Sequence, residues 1–141
     1  MTIGVTNLNG KDFLLDFSEH SLERSDQRFE DIDINQFLNT LNKLAQQSFQ
    51  FGRYDEPLVV RDYCNNKVLV YSLSKTDEFD FERLEEALDF EDKVCIITLF
   101  HNAYTFKQNP KHRVIIIDKN NNFLNDEAAI AYEEYLEWIN K

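Results

Sequence analysis

Two spacings of apolar residues alternate along this chain. IGVT and KDFLLDF, residues 3–6 and 11–17, flank an Asn/Gly turn at NLNG and predict a hairpin. Ile34, Phe37, Leu38, Leu41, Leu44, Ala45 and Phe49 then recur at the helical period and predict a helix over 34–50. Asp33 and Gln36 have capping-box spacing at its start, and Ile32 with Phe37 has staple spacing. PLVVRDYC and KVLVYSL enclose Asn65-Asn66 and predict a second hairpin closed by a two-residue loop. KVCIITLF and RVIIID are apolar nearly throughout, as strands buried on both faces are.

Residues 80–90 predict a second helix, capped by Asp80, with Phe81, Leu84, Ala87 and Leu88 on its inner side. DEAAIAYEEYLEWIN predicts a third, with Tyr135, Ala128, Ile139, Tyr132 and Leu136 facing the core. SEHSLERSDQRFED reads as a short helix or a loop, and HNAYTFKQNPKH as a loop or weak strand. The resulting order, approximately ββα-ββα-ββα, predicts an α+β fold with three helices packed on a mostly antiparallel sheet. No Gly/Ser linker or break in composition interrupts it, so residues 1–141 are expected to form a single domain.

Composition supports a packed core. Hydrophobic residues make up 43% of the chain and twelve are Phe, which argues against disorder. Gly (3) and Pro (2) are scarce, so Asn and Asp are expected to make the turns. The formal net charge is −11 at pH 7, which argues against nucleic acid and anionic membranes as partners and favours a basic protein surface. Cys64 and Cys95 each lie in an apolar run without metal-ligand spacing and read as buried, reduced thiols. The N-terminus lacks the pattern of a leader, and no apolar run is long enough to span a bilayer, so a cytoplasmic protein is expected.

Several chemistries have no motif. Gly4, Gly10 and Gly52 are too far apart for a phosphate-binding loop. DKNNNFLNDEAA begins like a calcium loop at Asp118, Asn120 and Asn122. Phe123 then stands where glycine is needed and Ala129 where a bidentate Glu is needed. His20, His101 and His112 show no ligand pair. No cofactor or metal is therefore expected. An enzymatic reading would centre on His101 and the 101–112 loop, with Cys64 or Ser72 as the nucleophile, but no elbow motif or orienting third group supports it.

The most concentrated feature is acidic. Nine carboxylates fall in the sixteen positions from Asp77 to Asp92. Asp77, Glu78, Glu82, Glu85, Glu86, Asp89, Glu91 and Asp92 are the candidate partner-binding residues there. Glu82–Glu86 and Glu85–Asp89 are like-charge pairs at helical spacing, each costing about 0.2–0.5 kcal/mol. Glu91 and Asp92 stand at the helix end whose dipole disfavours them. The C-terminal helix carries a comparable face of Glu133, Glu134 and Glu137 around Ile130, an apolar anchor ringed by acids. Lys107, Lys111 and Arg113 form a stretch with no acid, so the charge is lopsided.

The pattern points to a small acidic binding protein. The expected role is that of an inhibitor or immunity-type protein whose carboxylates occlude a basic, nucleic-acid-binding surface of a toxin or defence nuclease. The alternative is an adaptor or self-associating module whose charge serves only solubility. A small enzyme with a site near His101 is the third reading.

Overall fold

The computed structural model describes residues 2–17, 34–76, 90–107 and 109–139. Seven strands are described: β1 (Thr2–Leu8), β2 (Lys11–Phe17), β3 (Leu58–Asp62), β4 (Lys67–Lys75), β5 (Asp92–Phe100), β6 (Arg113–Ile117) and β7 (Phe123–Asn125). Two α-helices accompany them, α1 (Ile34–Ser48) and α2 (Asp126–Ile139). The strands form one sheet in the order β1-β2-β5-β4-β3-β6-β7.

The predicted ββα-ββα-ββα arrangement on a mostly antiparallel sheet is not what forms: among the described residues two α-helices accompany one mixed seven-stranded sheet. Four neighbouring strand pairs are antiparallel, but β2–β5 and β3–β6 are parallel, so the sheet is mixed. Three strands rather than two precede α2, because the short run Phe123–Asn125 adds a seventh at the edge. Residues 80–89 of the helix predicted over 80–90, and the polar segment 18–31, lie outside the described residues. The physical reason for the mixed sheet lies in β6. Ile115 and Ile117 face one side and Val114 and Ile116 the other, so the strand needs apolar cover on both. Lying beside β3 in parallel places those two faces under the two packed layers of the sheet.

Two layers of side chains result. Leu44 and Ala45 of α1 pack with Phe13, Leu15, Leu69, Tyr71, Ile96 and Ile117 on one face. Ala129 and Leu136 of α2 pack with Val59, Val68, Val70 and Ile116 on the other. One polar pair is sealed in the first layer. Ser48 Oγ donates to the Leu44 carbonyl at 2.6 Å and lies 2.7 Å from the Tyr71 hydroxyl, with both residues fully buried. Burial pushes the Tyr71 phenol up to about 12. A 3-10 turn, Phe49–Phe51, ends α1 against Gly52, where a Cβ would sit 3.1 Å from both a Leu73 methyl and the Phe49 carbonyl.

The turns follow from Asn and Asp as expected. Asn9 and Gly10 take φ of 55° and 86° between β1 and β2, and Asn7 Oδ1 accepts the Gly10 N–H. The second hairpin differs from its prediction. β3 stops at Asp62, whose buried carboxylate accepts the N–H groups of Cys64 and Asn65 and the Asn65 amide. These bonds pull residues 63–66 off the ladder into a four-residue loop. Cys64 is consequently exposed rather than buried, while Cys95 is half-buried; both are free thiols. Among the described residues no helix is long and apolar enough to cross a membrane.

Candidate functional site

The last two residues of the acidic run and the C-terminal helix differ electrostatically. Asp77, Glu78, Glu82, Glu85, Glu86 and Asp89 lie outside the described residues. The last two acids of the run, Glu91 and Asp92, are matched by the protein's own lysines. Asp92 opens β5 and is 0% exposed. Its carboxylate pairs with Lys11 of β2 and, at 2.8 Å, with Lys75 of β4, while Lys11 also reaches Glu91 at 3.0 Å. Thr76 closes the same corner by donating its hydroxyl to the Phe90 carbonyl and its N–H to that of Glu91. Asp92 is therefore part of the joint between β2, β4 and β5, and it presents nothing to a partner.

This joint has a pH dependence with a defined sign. Burial pushes the Asp92 carboxyl up, but hydrogen bonds from Lys11, Lys75 and Tyr54 and the charge of Lys11 outweigh it, so its pKa lies below the ordinary carboxylate range. A depressed native pKa contributes stability that is present above the unfolded value and lost as pH falls through the folded one. Asp92→Asn is expected to cost about 1–3 kcal/mol at pH 7, the penalty for weakening a buried hydrogen-bonded acceptor. Denaturant titrations should show the gap between wild type and variant closing as pH falls below about 4, where the unfolded carboxyl protonates. A gap that stays constant to pH 2 would remove the ion pairs from the account.

α2 is the contrasting case. Its seat on the sheet is set by Ala129 and Leu136, with Tyr132 half-buried between them and its ring 5.6 Å from that of Tyr63. The helix is turned from the predicted orientation, and Tyr135 and Ile139 face outward instead of inward. Trp138 is 72% exposed, Ile130 59% and Tyr135 53%. Ala128, Ala131, Tyr135 and Trp138 recur at spacings of three and four, and all four are exposed. They form one apolar stripe along the outer side of the helix.

Acids border that stripe. Glu127, Glu134 and Glu137 are exposed, and Glu133 is half-buried with a buried Oε1 that makes no hydrogen bond. Among the described residues none of these carboxylates is paired with a Lys, Arg or His. The last turn of α2 has no basic residue to complement its dipole. The basic stretch is not remote from this helix. His112 and Arg113 line a groove of about 280 Å³ together with Ile130 and Glu133. The N-terminal half of α2 thus borders mixed charge, while the described part of the half bearing Glu134, Glu137 and Trp138 exposes acidic and apolar side chains.

Other sequence candidates take structural positions. Asp118 accepts the N–H groups of Asn120 and Asn122, which lowers its pKa and uses its carboxylate to close the turn before β7. Among the described residues no group of three or more His, Cys, Asp or Glu could hold a metal. His101 sits just past β5, where its Nδ1 meets the Lys67 ammonium. Sequence reasoning named Ile130 and its ring of acids but missed Tyr135 and Trp138. Their spacing fits a buried stripe equally well, and only the seating of the helix distinguishes the two. Comparison of this chain with family models, curated proteins and solved structures found no match.

Proposed function

We propose that this protein binds a basic protein surface through the outer face of α2, acting as an occluding inhibitor of a partner whose cationic surface serves nucleic acid. The observation that carries the reading is the exposed stripe of Tyr135 and Trp138 set among carboxylates that make no ion pair among the described residues. Trp and Tyr are the side chains most enriched at binding hot spots, and carboxylates around them select a cationic partner. A helix whose terminal acids oppose its own dipole gains from such a partner what it lacks internally.

The same stripe argues against symmetric self-association. Pairing two copies along it would bring Glu134 and Glu137 of each close to those of the other, and like charges brought together cost energy. A partner carrying Lys or Arg at those positions meets no such penalty.

Charge reversal tests the reading. With Glu134→Lys and Glu137→Lys combined, proteins captured from the native host's lysate should no longer include the basic proteins held by wild type. Raising salt to about 0.5 M should release the same proteins from wild type, since exposed charges are then screened within a few ångströms. A captured partner should also lose nucleic-acid binding on stoichiometric addition of this protein. Retention of the same basic partner by the double variant would refute the proposal.

A further inference from the structure

At the opposite side of the sheet, β4 begins and β5 ends with two basic residues facing each other. Lys67 opens β4, and His101 follows the last residue of β5 on the neighbouring strand. Their side chains meet on the α1 side, Lys67 Nζ donating to His101 Nδ1. Lysine commonly pairs with carboxylates, yet among the described residues Lys67 makes no ion pair. The groups around it are few. Asp62 of β3 faces it, but that carboxylate is occupied by the Cys64 and Asn65 N–H groups and the Asn65 amide. Lys43 of α1 is the nearby cation. Lys43, Leu44, Asp62, Asn65 and Lys67 line one cavity of about 230 Å³, enough for a small metabolite-sized molecule.

A lysine in contact with an imidazole base and open to a cavity has the arrangement of an amine nucleophile. We infer that Lys67 is a reactive amine that forms an imine with a small anionic carbonyl compound, with His101 as its proton acceptor and Lys43 holding the ligand's carboxylate. Burial and, for His101, the charge of Lys67 depress both groups: Lys67 falls below the usual lysine range and His101 to about 4. The imidazole is therefore neutral at physiological pH and accepts from Lys67 at Nδ1, while a larger share of Lys67 is unprotonated than for an exposed lysine.

The step balances without any redox partner. The Nζ lone pair of the free amine bonds to the carbonyl carbon, and the C=O π pair moves to oxygen. The surplus proton on nitrogen passes by way of His101 Nδ1 to that oxygen. The remaining N–H proton then follows the same route to the carbinolamine hydroxyl, and water leaves as C=N forms, so amine plus carbonyl gives imine plus water. The α2 face is not involved, and the inference stands or falls separately from the binding role.

Reductive trapping tests it. The full-length protein is incubated with glyoxylate and cyanoborohydride at neutral pH, and peptides are mapped by mass spectrometry. Lys67 should be alkylated about tenfold or more faster than the exposed Lys107 and Lys111, as an activated amine is. Lys67→Arg, which keeps the charge, should remove the fast adduct and leave the slow ones. His101→Gln should slow the Lys67 adduct several-fold while leaving the pH at which its labelling rate is half-maximal close to wild type, because burial and not His101 lowers the Lys67 pKa. Lys43→Gln should slow trapping of glyoxylate but not of neutral acetaldehyde. Labelling of Lys67 no faster than that of Lys107 would overturn the proposal. Equal slowing of both probes by Lys43→Gln would overturn the assignment of an anionic ligand.

Discussion

Trp138→Ala is expected to weaken binding of the basic partner by about 30-fold or more, the loss typical of an aromatic hot spot truncated by about 2 kcal/mol. Its unfolding midpoint should stay at the wild-type value. Both expectations come from one fact: the indole is 72% exposed, so it contributes almost nothing to the core and is fully available to a partner. Titration calorimetry with the captured partner and a thermal melt of the isolated protein check the two halves. Unchanged affinity would move the interface away from α2. A midpoint lowered by several degrees would mean that Trp138 packs against its own chain.

The second large effect is on stability. Ile116 lies on β6, is 0% exposed, and sits in the cluster that receives Ala129 and Leu136. Ile116→Ala should destabilise the protein by about 2–5 kcal/mol, the transfer loss plus the cavity left beneath α2. Ile130→Ala, on the outer side of the same helix, should stay within about 0.5 kcal/mol of wild type. Urea titrations that give the two variants equal losses would contradict the seating of α2. Because the partner-binding face rides on that seat, Ile116→Ala should also weaken binding, whereas Trp138→Ala weakens binding with stability intact.

These two residues separate what a helical wheel can supply from what it cannot. On α2 the sequence offers two apolar stripes, one through Tyr132, Tyr135 and Ile139 and one through Ala129 and Leu136. Nothing in local spacing chooses between them. The choice follows from the partners already in place: Tyr63 at the end of β3 meets Tyr132 from one side, and Val59, Val70 and Ile116 receive Ala129 and Leu136. The same difficulty applied to charge. Glu91, Asp92, Glu134 and Glu137 look alike in the chain. Yet Asp92 is locked between Lys11 and Lys75, which lie far from it in sequence on β2 and near to it on β4. Among the described residues Glu134 and Glu137 have no such neighbours. Cys64 shows the limit of propensity in the other direction, for the buried Asp62 carboxylate competes with the ladder for its N–H and takes it out of the strand.

What the sequence determined by itself is local. The helical period fixed α1 and α2 to within a residue or two, and the Asn-Gly pair fixed the first hairpin through its tolerance of positive φ. The runs KVCIITLF and RVIIID announced strands with two buried faces, because Thr98 alone interrupts their apolar interiors. Tertiary structure alone decided which strands lie side by side, since backbone hydrogen bonds carry no sequence label and pairing is settled by which faces can be covered together. That decision placed β6 beside β3, set the rotation of α2, and matched Glu91 and Asp92 with lysines while leaving Glu134 and Glu137 without an ion pair among the described residues. It also brought Lys67 and His101, thirty-four residues apart, into contact.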